Sequence, residues 1–165
     1  MSSSPGRGLR IGSGFDVHPF VSGRPLVLGG VTIPFDKGLE GDSDADVLLH
    51  AIADALLGAV ALGDLGHWYP PGESVEPGAD SSLLLQDVVE RVRNAGWVTG
   101  NLDSTLIAQS PRLAPHVPAM RTNLARWLDV PESRVSVKAT TTDRLGFVGR
   151  GEGIAAQAIV LLESV

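Results

Sequence analysis

The chain has 165 residues, of which 43% are hydrophobic and 19% charged; that supports one domain with a sizeable core and leaves too little length for two comfortable ones. A net charge of −6 and a pI near 5.1 argue against nucleic acid as a partner, because phosphate contacts need clustered Lys and Arg. Cysteine is absent, which excludes disulfides and thiolate metal sites, so any zinc here must be held by His and carboxylate.

The first nine residues, Met1 to Leu9, are small, Ser-rich and basic, too short and too polar for a signal peptide. The expectation is a loose tail over residues 1–8 of a cytoplasmic protein, then a single domain over residues 9–165. Residues 9–18 and 25–35 read as strands with a turn at Gly23-Arg24. The first run ends in Asp16-Val17-His18. On a strand, residues i and i+2 share a face, so Asp16 and His18 can grip one ion together.

Residues 43–62 form a long apolar run that stops at Gly63 and predicts the first helix. Ser43 is the expected N-cap, with Asp46 as its capping-box partner, and Asp44 and Asp46 both favour the positive helix end. Asp46, His50 and Asp54 fall at i, i+4 and i+8 on one face. His50 is a candidate third metal ligand, and Asp46 and Asp54 are both positioned to accept its other ring N–H. The competing reading is a core histidine satisfied by neighbouring acids. Three O/N ligands would leave one coordination position open, as in catalytic rather than structural zinc sites. His50 and Asp54 break the apolar stretch, and it is too short to span a bilayer, so no membrane contact is expected.

Residues 63–73 read as an irregular loop because of Pro70-Pro71. A second helix is expected from near Asp80 to Gly96, with Leu84, Leu85, Val88, Val92 and Ala95 as its buried stripe. Residues 101–109 read as a strand, Ser110-Pro111-Arg112 as a loop. Val117, Met120, Leu124 and Trp127 mark a third helix. In residues 134–140, Val135, Val137 and Ala139 face one way. Residues 153–162 are nearly all apolar and read as a central strand. The expected fold is α+β: one mixed sheet covered on one face by helices, the other face needing a partner and hence pointing to oligomerisation.

Lys138-Ala139-Thr140-Thr141-Thr142-Asp143 runs into a glycine-rich segment ending at Gly153. The threonines offer hydroxyls and backbone N–H groups to an anion. Asp143 could hold a harder cation such as Mg²⁺, and Arg150 could clamp a phosphate. The alternative is a β-branched strand end followed by a glycine turn. His67 and His116 read as surface or packing residues. No Ser or Cys with a partnered base is evident, which points to metal-assisted rather than covalent chemistry. From the residues alone, the reading is a zinc-dependent phosphohydrolase.

Taken in order, the segments Arg10-Ile11-Gly12-Ser13-Gly14-Phe15-Asp16-Val17-His18, Ser43-Asp44-Ala45-Asp46-Val47-Leu48-Leu49-His50-Ala51, Gly63-Asp64-Leu65-Gly66, Ala108-Gln109-Ser110-Pro111-Arg112-Leu113 and residues 138–153 resemble the 2-C-methyl-D-erythritol 2,4-cyclodiphosphate synthase family of the non-mevalonate isoprenoid pathway. No single segment is specific, but their combination and spacing are. The resemblance implies a homotrimer with active sites between subunits, acting on a cytidine diphosphate substrate. It implies zinc on Asp16, His18 and His50, and a second divalent ion, Mg²⁺ or Mn²⁺, on Asp143. Ala108, Gln109, Ser110, Pro111, Arg112 and Leu113 would form the cytidine pocket, with Thr140, Thr141 and Thr142 along the phosphates. Asp64, Leu65 and Gly66 would contact the erythritol part, and Phe147 and Arg150 would lie further along the substrate surface. The implied reaction is a lyase reaction: the substrate's 2-phosphate attacks its β-phosphorus and CMP leaves. Thr141, Asp143 and the residue at position 42 are the implied catalytic positions.

Two departures stand out. The family's helix approach reads Ala-His-Ser-Asp, whereas this chain has Gly41-Asp42-Ser43-Asp44, which puts the acid Asp42 beside the substrate-binding Ser43. The family's Phe-Pro-Asp-Thr-Asp loop is here Tyr69-Pro70-Pro71-Gly72-Glu73. The alternative reading is therefore a catalytically weakened trimeric homologue that still binds zinc and cytidine nucleotides.

Overall fold

The computed structural model describes residues 8–73 and 76–165; apart from Gly8, the expected tail lies outside the described residues. The chain begins with a long strand β1 (Leu9–Ser22), then a hairpin of β2 (Leu26–Leu28) and β3 (Val31–Ile33), then a short β4 (Lys37–Leu39). The single strand expected over residues 25–35 is thus two strands, because Gly29 and Gly30, both at positive φ, turn the chain back on itself. Helices α1 (Val47–Ala59), α2 (Leu65–Trp68) and α3 (Ser81–Asn94) follow. After them come β5 (Trp97–Ile107), α4 (Val117–Leu128), β6 (Val135–Thr140), a short α5 (Gly146–Gly149) and β7 (Gly153–Ser164).

The main sheet has the order β4-β1-β7-β5-β6. Its pairings are antiparallel except for β5 with β6, which are parallel. β7 is central, as its apolar sequence demands: most of its residues are buried between β1 and β5. Helices α1, α3 and α4 pack on one face, giving a single α+β domain with a mixed sheet.

Helix α1 is buried nearly all round, since it is held between the sheet and α3. Leu48, Leu49, Ile52, Leu56 and Leu57 are fully buried, each contributing roughly 1.5–3 kcal/mol. The helix sits directly on β1 because Gly12 and Gly14 carry no side chains. A Cβ on Gly12 would lie 1.9 Å from the Ala55 carbonyl oxygen, and one on Gly14 would lie 1.9 Å from that of Ala51. This close approach brings α1 within reach of Asp16 and His18, which share the inner face with both glycines.

Several boundaries differ from expectation. Helix α1 begins at Val47 and its N-cap is Asp46, not Ser43. Asp46 accepts from the N–H of Leu49 at 3.1 Å and also from Gly29 and Gly30, at 3.0 and 2.8 Å; a carboxylate that can cap the helix and the β2–β3 turn together outcompetes a serine. α3 starts near Asp80 as expected, with Asp80 as its N-cap, but it ends at Asn94 rather than Gly96 and leaves Ala95 exposed beyond its end. Ala139 is exposed where β6 outruns the helices, unlike Val135 and Val137. On the outer sheet face, Ile11, Phe15 and Ile159 are 72%, 59% and 46% exposed, an apolar surface that single-chain packing leaves uncovered.

Candidate metal centre and adjoining pockets

Asp16 and His18, at i and i+2 on β1, meet His50 from the first turn of α1. The Asp16 Oδ2 atom is 2.8 Å from His18 Nε2 and 3.2 Å from His50 Nδ1, and the two imidazole nitrogens are 3.2 Å apart. Among the described residues this is the cluster of His, Asp and Glu able to hold a metal ion. His18 Nδ1 donates to the Glu40 carbonyl at 2.7 Å, which leaves Nε2 facing the cluster. Three lone-pair atoms within 3.2 Å of one another repel unless a proton or a cation lies between them. One carboxylate oxygen and two imidazole nitrogens are a donor set suited to a divalent cation. Electrostatics agree: burial pushes the Asp16 carboxyl up, but hydrogen bonds and charge from both imidazoles outweigh it and hold the group at about 2. Burial lowers the His18 pKa, and the Asp16 carboxylate and the Glu40 carbonyl more than reverse that, so it stands above the ordinary imidazole value.

The carboxylate partners expected for His50 are a correction. His50 Nε2 meets Ser81 Oγ at 3.1 Å, not Asp46 or Asp54. Asp46 is fully buried and committed to its three backbone donors; burial, opposed by those donors and aided by Asp44, pushes it up to about 6. Asp54 accepts from the Leu65 N–H at 2.8 Å. Its pKa is also raised, first by burial and then by Asp64 and Asp16, against the Leu65 hydrogen bond.

A cavity of about 410 Å³ opens over the cluster, lined by Asp16, His18, Asp42, Ser43, His50, Asp54, Asp64, Leu65, Gly66, Tyr69, Pro71 and Leu84. Asp64 caps α2, accepting from the His67 N–H at 2.9 Å; this short helix occupies part of the expected loop. The loop is tied down: the Trp68 indole donates to the Leu62 carbonyl at 2.7 Å, Arg91 lies 4.1 Å over the Trp68 ring, and the Tyr69 hydroxyl donates to Asp87. Asp54, Tyr69, Pro71 and Leu84 are not legible in the sequence as cavity walls. Tyr69 and Leu84 depend on how α2 and α3 meet, and helical spacing offers Asp54 only as a partner for His50.

A second pocket of about 260 Å³ is lined by Ala108, Gln109, Pro111, Arg112, Leu113, Ala114, Ala139, Thr140 and Thr141. The parallel pairing of β5 with β6 puts both strand ends side by side, and the Ala108 N–H donates to the Thr140 carbonyl at 2.9 Å. Ser110 is exposed in the loop between. Beyond Thr141 the chain turns through Asp143 and Arg144, at φ 52° and 65°. Gln109 Oε1 holds the Arg144 N–H at 3.0 Å, and Thr142 Oγ1 donates to the Leu145 carbonyl at 2.7 Å. Asp143, Phe147 and Arg150 are exposed and line neither pocket, and Arg150 pairs with Glu152 at 3.0 Å. His67 and His116 lie outside the metal cluster, as expected.

Residues 9–163 match the YgbB family, and the chain belongs to it. It is 62% identical over 154 residues to 2-C-methyl-D-erythritol 2,4-cyclodiphosphate synthase of Moorella thermoacetica, covering 93% of this chain and 94% of the relative. It is 63% identical to the enzyme of that name from Laribacter hongkongensis, covering 94% and 96%. Its fold matches the bifunctional IspDF of Campylobacter jejuni with a TM-score of 0.93 at 45% identity, covering 98% of this chain and 44% of that longer one. It also matches the CDP complex of Plasmodium falciparum IspF with a TM-score of 0.84 at 31% identity, covering 95% and 97%.

Proposed function

We propose that this chain converts 4-diphosphocytidyl-2-C-methyl-D-erythritol 2-phosphate into 2-C-methyl-D-erythritol 2,4-cyclodiphosphate and CMP. The enzyme class rests on its family and on the synthases it resembles at about 60% identity. The observation that carries the chemistry is the convergence of Asp16, His18 and His50 at the floor of an open cavity.

In this reading Asp16, His18 and His50 hold zinc, and Asp143 holds a second divalent ion, Mg²⁺ or Mn²⁺. When bound, such cations supply Lewis acidity and offset the repulsion between two phosphates brought together. The nucleophile is the substrate's own 2-phosphate oxygen. It forms a bond to the β-phosphorus while the bond from that phosphorus to the CMP oxygen breaks, and the electron pair leaves with CMP. The protein therefore needs no Ser, Cys or strong base; its contribution is positioning and charge. Thr140, Thr141 and Thr142 offer hydroxyls and backbone N–H groups to phosphate oxygens, with Thr141 in the catalytic role. Ala108 to Leu113 enclose the cytidine, Asp42 and Ser43 flank the diphosphate, Asp64, Leu65 and Gly66 contact the erythritol, and Phe147 and Arg150 extend the binding surface.

The metal cavity and the second pocket share no lining residue, and the outer sheet face is apolar. Both support a homotrimer whose active sites combine residues of neighbouring subunits, with residues 9–165 acting as one domain; that this trimer works in the cytoplasm is part of the same proposal. Among the described residues no helix is long and apolar enough to cross a membrane.

Protein, divalent metal and substrate incubated together should give a cyclic diphosphate and CMP by mass spectrometry. Free phosphate as the product would return the reading to a phosphohydrolase. Light scattering should give three times the chain mass; a single-chain mass at micromolar concentration would remove the shared site. The second reading, a weakened homologue, is favoured by Asp42, an acid exposed on the cavity wall. It predicts zinc and CDP binding with little CMP release.

A further inference from the structure

His50 Nδ1 faces Asp16 and His18, while its other ring nitrogen faces away from them, towards the start of α3. There Nε2 lies 3.1 Å from Ser81 Oγ, and Ser81 is 1% exposed. Ser81 Oγ is in turn 2.5 Å from Asp44 Oδ1, and the Ser81 N–H reaches Asp44 Oδ2 at 3.3 Å. The two segments are laced together: the Asp44 N–H donates to the Ala79 carbonyl at 2.9 Å, and residues 43 and 79 form a parallel bridge. Ser43 Oγ stands 3.1 Å from Ser81 Oγ and 3.4 Å from His50 Nε2, and it accepts from the Ala45 N–H at 3.1 Å.

Proton accounting decides the direction of this chain. A serine hydroxyl has one proton, and an ionised carboxylate can only accept. The short contact therefore takes the Ser81 proton to Asp44; the Ser43 hydroxyl then gives its proton to Ser81, the nearer oxygen, and both serines turn lone pairs towards His50. The contact with Nε2 is then a hydrogen bond only if Nε2 carries hydrogen. A neutral imidazole has a single N–H, so Nδ1 keeps its lone pair. Without Ser81, the opposite tautomer would be attractive, because Nδ1–H could donate to Asp16 at 3.2 Å. That tautomer would put a proton where a metal must bind.

We infer that Ser81, oriented by Asp44, is a positioning residue that holds His50 in the tautomer whose Nδ1 lone pair faces the metal position. The inference rests on the reading of Asp16, His18 and His50 as metal ligands. Neither expected acid on the His50 helix serves this purpose; the partner comes from α3, 31 residues away.

The test reads the tautomer directly. In long-range ¹H–¹⁵N spectra of the metal-free protein, at a pH where the imidazole is neutral, His50 should carry its proton on Nε2. In Ser81→Ala the population should move towards Nδ1–H, and zinc affinity, measured by competition with a chelator, should fall about 10–100-fold, the usual cost of losing a ligand's outer partner. Ser81→Thr, which keeps the hydroxyl, should restore both readouts, whereas a merely structural loss would be separated by thermal melting. A wild-type His50 protonated on Nδ1 would overturn the inference, as would a Ser81→Ala protein with unchanged tautomer and zinc affinity. Should Ser81→Ala fail to fold, the wild-type spectrum decides by itself, and Asp44→Asn should weaken zinc binding in the same direction. Wild type binding zinc no better than His50→Ala would sink the metal reading instead, while the spectrum would still decide the tautomer.

Discussion

The metal cluster and the threonine-rich turn show two ways of building a site from one chain. Asp16, His18 and His50 are half-buried, borne on β1 and α1, and aligned by the Glu40 carbonyl and Ser81 Oγ. Thr140, Thr141 and Asp143 are exposed at a strand end, in a turn whose left-handed backbone is held by Gln109 and by its own threonines. The first half is preorganised by the core, so its geometry is as stable as the fold. The second is a turn pinned by its own hydrogen bonds, with its hydroxyls and carboxylate facing outwards; in the proposed trimer it would complete a site that another subunit begins.

The largest effect should come from removing a ligand of the preorganised half. His50→Ala should lose bound zinc and turnover together, by more than the roughly 10–100-fold cost of an outer partner. Undiminished zinc by elemental analysis would show that the cluster is not the metal site. Next is Asp42→His. A donor aimed at developing charge is worth on the order of 10²–10³ in rate, so kcat should rise towards that range with zinc content unchanged. A variant no faster than wild type at saturating metal and substrate would show that the acid at position 42 is harmless.

Gly14→Ala probes whether the core holds the cluster together. The added methyl meets backbone of α1, and overpacking costs about 1–3 kcal/mol; both Tm and zinc affinity should fall. A lower Tm with unaltered zinc binding would detach the ligand geometry from the helix–strand approach. The pH dependence is smaller and has a definite sign. Zinc needs His18 neutral, and the folded, metal-free protein holds its pKa above 6.5. Zinc affinity should therefore fall about tenfold per unit as pH drops below that raised pKa, and be flat above it. In the metal-free protein the linkage runs the other way. Stability from charged His18 is complete below 6.5 and is lost as pH rises through the folded pKa; stability from Asp16 is complete above 3.8 and is lost as pH falls towards about 2. A zinc affinity independent of pH would leave His18 outside the coordination sphere.

The smallest effect on the fold should come from the outward half. Gln109→Ala removes the hydrogen bond to Arg144 at the surface, so stability should change by no more than about 0.5 kcal/mol, with zinc content unchanged and KM raised. A large loss of Tm would mean that this turn belongs to the core after all.

The sequence by itself determined the three members of the candidate metal cluster, the central strand, three of the helices and the family. Each of these is a local pattern: Asp16 and His18 share a face because strand side chains alternate, His50 sits on a helix whose period is written in its apolar residues, and motif spacing follows chain order. Tertiary structure alone decided who partners whom across elements. Helical spacing gave His50 two acids on its own face, yet Asp46 was drawn to cap the helix and bind Gly29 and Gly30, Asp54 to hold Leu65, and Ser81 became the partner of the imidazole. Periodicity reports which side chains leave one element together; a buried carboxylate goes to whichever unsatisfied backbone donors the packing brings to it, and those come from segments far away in the chain.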